Sequence, residues 1–317
     1  MAGLDIAHQR LYNQRIAGPP LGKPEDVVSQ LVAVQAQDYP AAQWALGLRM
    51  GDARDSQVVE AFAAGRILRT HVMRPTWHFV TPEDIRWLLQ LTAPRVHAVN
   101  AYMYRKAGLD NALLARSGTL IEKALEGGKH LTRTELGAVL EQHGITTRGE
   151  FRLSYIVQHA ELEQVVCSGP MRGKQFTYAL LEERAPQARR LEHDEALAQF
   201  VLRYFTAHGP ATAKDFAWWS GLAMSDVKAG LEFVRENLLH EEIDGQTYWF
   251  AEAPPFERDP SPTAYLLPNY DEYGISYRDH SAFSEKVAAA RVMGGREIYF
   301  GHAIVIDGQV VGAWKRA

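Results

Sequence analysis

Two glutamines separated by one alanine, Gln35 and Gln37, are the residues whose type and spacing first suggest a site. Residues two apart point to nearly opposite sides of a helix, but they share a face of an extended segment. An extended segment would therefore direct both carboxamides into one space, where their oxygens can accept hydrogen bonds from water. The alternative is a pair of solvated glutamines at a helix end, since glutamine is mostly exposed in proteins.

The residues around this pair predict two helices joined by a short connector. Pro24 suits a first helical turn, and the apolar residues after it recur with helical spacing. After the pair, Asp38 is a candidate N-cap and Pro40 a first-turn residue, so a second helix is expected to begin there. Asp38 is also the nearest carboxylate that could activate a water, although its cap position favours a structural role.

After the next helix, the apolar residues change from helical to strand-like spacing. Residues 67–73 and 76–80 are strand-like and are joined through Arg74 and Pro75. Three helices followed by a hairpin is the order expected of a winged helix-turn-helix. Trp77 and His78 alternate along the second strand, so at most one of them faces the core, and we expect that residue to be Trp77.

The first hairpin is rich in groups that can carry positive charge. Such groups are suited to contact with DNA phosphates, and the alternative is an ordinary solvated hairpin. The candidates are Arg69, His71, Arg74 and His78. No metal site is predicted, because His71 and His78 are seven residues apart across a turn, without Cys or a carboxylate at ligand spacing.

The order of helices and hairpin recurs twice, which predicts an internal repeat of one supersecondary unit. The fold class expected is α+β, mainly α, with three tandem winged helix-turn-helix units and a C-terminal β-rich segment. The predicted domains are winged helix 1 at 1–81 with the Gln-Ala-Gln element, a helical bridge at 82–118, winged helix 2 at 119–184, winged helix 3 at 185–253, and the β-rich segment at 254–317.

Two details of this organisation bear on function and on helix boundaries. In the bridge, residues 81–84 predict the start of one helix and Pro94 the start of another. In winged helix 2, Arg172 and Lys174 lie in the loop between the strands, where they could reach a duplex.

The tail begins after a proline-rich joint at 254–262 and is strand-like at 265–267, 298–306 and 309–314. Between its strands, residues 269–273 read Asn-Tyr-Asp-Glu-Tyr. These polar and aromatic residues either close over a site, with Asp271 as an auxiliary group, or form a turn that borders a sheet.

Composition limits the classes of protein that the chain can represent. With 317 residues, 46% hydrophobic and 23% charged, it is long enough for two or more compact units. The single Cys167 excludes a disulfide framework and fits a cytoplasmic protein. A net charge of −4 argues against broad coating of nucleic acid but leaves room for a local basic face. No signal peptide, membrane span or glycine-rich phosphate loop is predicted.

Several of these segments together resemble the AlkZ-like winged-helix DNA glycosylases, whose hallmark is a Gln-apolar-Gln element in the first of three tandem winged helices. The resemblance rests on residues 31–37 (Leu-Val-Ala-Val-Gln-Ala-Gln), 69–78, 266–273 and 307–312. Members of that family excise N7-alkylated purines from DNA, and some unhook interstrand crosslinks. The resemblance makes Gln35 and Gln37 the catalytic pair.

The resemblance implies a monofunctional DNA glycosylase that hydrolyses N7-alkylated purines and works on double-stranded DNA. We expect a monomer in the cytoplasm, associated with the bacterial nucleoid, without metal, nucleotide or other cofactor and without a membrane partner. A non-catalytic winged-helix transcriptional regulator is the alternative, and it would read one DNA sequence. A protein-interaction scaffold, which would show no salt-dependent DNA affinity, is a third possibility.

Overall fold

The computed structural model describes residues 4–252, 263–284 and 301–315 of the chain. The predicted joint at 254–262 and the first three residues of the predicted strand at 298–306 lie outside these ranges. The helices are α1 (Ile6–Asn13), α2 (Pro24–Leu31), α3 (Tyr39–Gly47), α4 (Asp55–Ala64), α5 (Ile85–Lys106), α6 (Asn111–Leu125), α7 (Arg133–Gln142), α8 (Arg152–Leu162), α9 (Leu181–Arg184), α10 (His193–His208), α11 (Ala213–Ser220), α12 (Met224–Val234) and α13 (Glu272–Ile275).

The strands are short and pair in small antiparallel sheets. They are β1 (Val34–Gln35), β2 (Leu68–His71), β3 (Trp77–Val80), β4 (Leu131–Thr132), β5 (Val166–Ser168), β6 (Thr177–Leu180), β7 (Leu239–Ile243), β8 (Gln246–Phe250), β9 (Ala264–Leu267), β10 (Ala303–Ile306) and β11 (Gln309–Ala313). This mixture of helices and separate small sheets confirms the α+β class.

The chain forms two compact units. The first unit comprises Met1–Val58 with Glu192–Ala317, and the second comprises Val59–Leu191. The boundary at Val58 lies inside the range 1–81 that was predicted for the first winged helix. The five predicted domains stay a prediction.

Helix α10 is at the centre of the first unit and packs against α1, α2 and α12. Its inward face carries Phe200, Tyr204 and Phe205, whose rings pack with those of Phe216 and Trp219 from α11. Large aromatic side chains bury much apolar area and prefer such tilted contacts. This cluster gives the unit a rigid core next to the segment that holds the glutamine connector.

The tail of the first unit is a three-stranded antiparallel sheet with β10 between β9 and β11. Asp307 and Gly308 form its predicted hairpin turn, both with positive φ, as the tight turns of hairpins require. Trp44 of α3 donates its indole N–H to the carbonyl of Leu266 at 2.9 Å and packs its ring against Trp314. The sheet is therefore fixed to the helix that follows the connector.

The second unit contains the β2–β3 hairpin and the sheet β4-β6-β5. Helices α6, α7 and α8 pack around one apolar cluster beneath that sheet. In both units, helices precede a hairpin in the predicted order: α6, α7, α8, β5 and β6 in the second, and α10, α11, α12, β7 and β8 in the first. The assignment of these groups as winged helices stays a prediction.

One predicted boundary is wrong. Pro94 does not begin a helix but lies within α5, which runs unbroken for 22 residues. Proline removes one backbone hydrogen bond from a helix interior. Residues on both sides of it, among them Leu88, Leu89 and Val96, are fully buried along one stripe, and this burial offsets the lost bond.

The N-cap predicted at Asp38 is confirmed, whereas the capping box predicted from residues 81–84 is not, because Asp84 is the N-cap of α5 and makes no side-chain capping hydrogen bond. Asp38 caps α3, its carboxylate accepting from the backbone N–H of Ala41 at 3.2 Å. Thr132 and Glu135 form a reciprocal capping box at α7. Among the described residues, no helix combines the length and the apolar character needed to cross a membrane.

Candidate functional site

The connector between α2 and α3 contains the two-residue strand β1 followed by a bend at Gln37 and Asp38, and its side chains alternate in exposure. Val34 and Ala36 are buried, Gln35 is half-buried and Gln37 is exposed. The buried Val34 and Ala36 alternate with the more exposed Gln35 and Gln37, which is the pattern of a segment whose alternate residues share a face.

The connector begins with an unusual backbone conformation. Val32 ends α2 with φ of 70°, a region that β-branched residues rarely adopt. Its side chain is fully buried, so packing offsets the backbone strain. This turn directs the chain out of the helix and into the extended connector.

A carboxylate that the sequence analysis did not single out holds the connector in place. Oε1 of Glu272 accepts the backbone N–H of Gln35 at 2.7 Å. Its Oε2 accepts from the indole N–H of Trp219 at 2.8 Å and from the hydroxyl of Ser276 at 2.6 Å. Glu272 is fully buried, and the three donors satisfy its charge. It is a positioning residue for Gln35.

The residue before Glu272 takes part in a buried ion pair. Asp271 accepts two hydrogen bonds of 2.9 Å from the guanidinium of Arg49, in a bidentate geometry. Burial alone would lower the pKa of Arg49, but the charge and hydrogen bonds of Asp271 raise it above its ordinary value. Asp271 also caps α13 through the backbone N–H of Tyr273. Its partners connect the tail to the segment that follows α3, and its auxiliary role stays a prediction.

Gln14 extends the same network. Arg49 donates to the side-chain oxygen of Gln14 at 3.0 Å, and Gln14 in turn donates to the hydroxyl of Tyr277 at 2.9 Å.

Asp38, the other candidate auxiliary group, is the α3 cap and lies 3.4 Å from the side-chain nitrogen of Asn269. Both carboxylates named from the sequence thus have structural partners beside the connector.

His208 is buried beneath Glu272 and stacks on Tyr204, with ring centroids 4.8 Å apart. Its Nε2 lies 4.0 Å from Oε2 of Glu272. Burial, with the positive charges of Arg49 and Arg10, lowers the pKa of His208 to about 3. The imidazole is therefore neutral in the folded protein at neutral pH.

This buried histidine predicts a loss of stability in mild acid. Below pH 6.5 the unfolded chain binds a proton at His208 that the folded chain excludes down to about pH 3. The free energy of unfolding should then fall by up to ~1.4 kcal/mol per pH unit from this group. Urea titrations between pH 7.5 and 5.5 measure the slope, and His208→Gln should flatten it. Equal slopes for the two proteins would contradict the assignment.

The hairpin of the second unit is packed rather than solvated. All four residues of β2 and three of the four residues of β3 are buried, and β2 packs against α8 and β5. His78 is fully buried and donates from Nδ1 to the carbonyl of Thr76 at 2.9 Å, whereas Trp77 is half-buried. The expectation that Trp77 would be the packed residue is therefore wrong. Strand alternation fixes which residues share a face but not which face is covered.

The other hairpin candidates have internal partners as well. The guanidinium of Arg69 lies between the rings of Trp77 and Phe176, at 4.2 and 4.4 Å from their centroids. Nδ1 of His71 makes a buried hydrogen-bond contact with the carboxylate of Glu161. The contacts of Arg69 are cation–π contacts, and together with the His71–Glu161 contact they enclose these side chains in the hairpin.

Burial, with Arg74 nearby, lowers the pKa of His78 well below its ordinary value. A neutral, enclosed imidazole is poorly suited to phosphate contact. Of the four candidates predicted on this hairpin, Arg74 is half-buried, whereas Arg69, His71 and His78 are buried.

The second basic pair lies in the loop between β5 and β6. Arg172 and Lys174 are both exposed. Arg172 donates to the carboxylate of Glu135 at 2.7 Å and to the carbonyl of His130 at 2.7 Å. An exposed ion pair of this kind contributes little to stability.

A cavity of about 380 Å³ opens in the second unit beside the hairpin. Its walls include the rings of Trp77 and Tyr155 and the buried His71–Glu161 pair. Phe151 also lines the cavity. More than half of its surface is exposed, and its backbone φ is 62°. Aromatic walls with a carboxylate are suited to a planar or cationic group.

A model of the DNA glycosylase AlkZ-like family matches residues 28–317 of the chain. The chain belongs to the AlkZ-like DNA glycosylase family. It is 26% identical over 306 residues to an interstrand DNA cross-link repair glycosylase of Streptomyces sahachiroi, covering 92% of this chain and 81% of that protein.

The fold supports the same assignment. The solved structure of Streptomyces sahachiroi DNA glycosylase AlkZ aligns with a TM-score of 0.81 at 21% identity, covering 98% of this chain and 87% of that chain. The AlkZ-like protein is accordingly a DNA glycosylase, a hydrolase whose substrate is DNA. The resemblance inferred from the Gln-Ala-Gln element is confirmed at the level of the family.

Proposed function

We propose that this enzyme hydrolyses the N-glycosidic bond of N7-alkylated purines in double-stranded DNA, with a water positioned by Gln35 and Gln37. The observation that carries the proposal is the alternation of exposure along the connector, where Val34 and Ala36 are buried while Gln35 is half-buried and Gln37 is exposed. The hydrogen bond from the Gln35 backbone to Glu272 supports it, because a positioned group must be held rigidly.

Neutral amides suit a substrate that is already charged. An N7-alkylated purine carries a positive charge, so its glycosidic bond breaks toward a neutral leaving base without a strong general acid. The glutamine oxygens accept hydrogen bonds from the water and direct their dipoles toward the oxocarbenium-like sugar. Glutamine has no proton equilibrium near neutral pH and cannot act as an ordinary base. Acceleration should therefore be confined to charged lesions.

The enzyme is proposed to be monofunctional. A lyase step through a Schiff base needs an amine nucleophile, and the connector sequence from Val32 to Asp38 contains no lysine. The relative named for interstrand DNA cross-link repair extends the proposal to the unhooking of interstrand crosslinks. Arg74, Arg172 and Lys174 are proposed to contact DNA phosphates. A cytoplasmic, nucleoid-associated monomer stays part of the proposal.

The decisive experiment is release of free base from methylated DNA. Purified enzyme should liberate 7-methylguanine from duplexes of unrelated sequence and leave unmethylated duplexes intact. Mass spectrometry of the released base measures the rate directly. Spontaneous depurination in buffer with a heat-inactivated sample is the background to subtract.

The alternative of a transcriptional regulator makes the opposite prediction. A regulator would bind one DNA sequence far more tightly than others and would be indifferent to methylation. Binding assays with methylated and unmethylated duplexes, at matched salt because phosphate contacts are salt-dependent, separate the two functions. Sequence-specific binding without base release would overturn the glycosylase proposal for this chain.

A further inference from the structure

Three side chains from two helices of the second unit converge away from the hairpin and the glutamine connector. They are His97 from α5, and His159 with Glu163 from the C-terminal end of α8. One ligand atom of each lies within 4.8 Å of those of the other two. Among the described residues, these three form the group of His, Cys, Asp or Glu side chains whose spacing could hold a metal ion.

We propose that His97, His159 and Glu163 form a binding site for a divalent transition-metal ion of the zinc class. Two imidazoles and one carboxylate are a common three-ligand set for such ions, with water in the remaining position. In a tetrahedral zinc site neighbouring ligand atoms are about 3.3 Å apart, so small side-chain rotations complete the geometry.

The scaffold presents the three ligands together. His159 and Glu163 are four residues apart, and the backbone N–H of Glu163 bonds to the carbonyl of His159 at 2.9 Å, so both lie on one face of a helical turn. Helix α5 packs against α8 and brings His97 to them, with the two histidine rings 5.0 Å apart. A metal ion would therefore link two helices of the same unit.

The hydrogen-bond contacts of His97 favour a cation bound between the three side chains. Its Nδ1 lies 3.0 Å from the hydroxyl of Tyr104, a contact that orients the ring as outer partners do in metal sites. Its Nε2 is buried and, among the described residues, has no hydrogen-bond partner with acceptable geometry. Yet Oε1 of Glu163 lies only 2.9 Å from that nitrogen. The distance is short but the alignment is poor, and an ion between the two atoms would satisfy both.

The site is accessible from solvent. The side chain of His97 is 24% exposed and that of Glu163 is 55% exposed. An ion could enter without unfolding the unit, and a bound water could complete its coordination. The inference is independent of the proposed hydrolysis, since none of the three residues belongs to the connector network.

The test uses the untagged full-length chain after dialysis against a chelator. Titration with Co²⁺ should produce the visible absorption of four- or five-coordinate cobalt, saturating at one equivalent, and Zn²⁺ should abolish that absorption. One equivalent of Zn²⁺ should also raise the Tm, whereas Mg²⁺, which prefers oxygen ligands, should not.

Two variants and one control make the result specific. His159→Ala and Glu163→Gln should each weaken Co²⁺ binding by at least about tenfold, the range seen when support of a metal site is removed. Glu163→Gln keeps the shape of an exposed side chain, so folding is preserved. His193→Ala changes a histidine in an exposed pair with Asp194 and should bind Co²⁺ like the wild type. Absence of one-equivalent binding in the wild type, or equal binding by all variants, would overturn the proposal.

Discussion

Gln37→Ala is expected to reduce release of 7-methylguanine by about 10²–10³-fold, the loss seen when one preorganised electrostatic group is removed from an active site. Gln35→Ala should produce a comparable loss, because the proposed water is held between both oxygens. The double variant should lose little more than either single one, since groups that act on one water are not additive. Single-turnover rates on methylated duplex measure the effect.

A matched control separates catalysis from folding and binding. Gln43→Ala removes a half-buried glutamine from α3, the helix that follows the connector, and should leave the rate unchanged. Affinity for methylated DNA, measured at fixed salt, should stay within a few-fold of wild type for all variants. Undiminished base release by Gln37→Ala and Gln35→Ala would remove the glutamines from the mechanism.

Breaking the ion pair between Arg49 and Asp271 is expected to have the largest effect on stability. Asp271→Asn or Arg49→Met leaves one buried charge without its partner, which costs about 3–5 kcal/mol in the free energy of unfolding. Both side chains are almost completely buried, so solvent cannot replace the lost contact. Urea titrations at pH 7.5 measure the change.

The double variant Arg49→Met with Asp271→Leu tests whether the loss of stability comes from leaving one buried charge unpaired. Because it removes both charges, it should be more stable than the sum of the single losses predicts, and the difference is the coupling energy of the pair. Base release should nevertheless fall in all three variants, since the pair holds the segment from which Glu272 reaches Gln35. Single variants as stable as wild type would show that the pair is not structural.

The candidate DNA-binding residues divide according to burial. Arg69, His71 and His78 were chosen from the sequence for their charge, but the structure surrounds them with aromatic rings, Glu161 and backbone. Exposed Lys174 and Arg172 retain access to a duplex. Charge identifies which side chains can bind phosphate, whereas packing decides which of them are available.

The sequence by itself determined the features that depend on neighbours along the chain. The proline at 24 and the cap at Asp38 predicted the two helices and a short non-helical connector between them, and the structure has them. Turn and cap residues act over a few positions, so their signals are legible in a single sequence.

Only the tertiary structure decided what holds these features together. Glu272 meets the backbone of Gln35 across 237 positions, Asp271 meets Arg49 across 222, and His97 meets a pair on another helix. Contacts between distant residues depend on how helices and sheets pack. Packing also buried His78 and kept α5 continuous across Pro94. A sequence names the residues that make these contacts, but only the tertiary structure shows which of them contact one another.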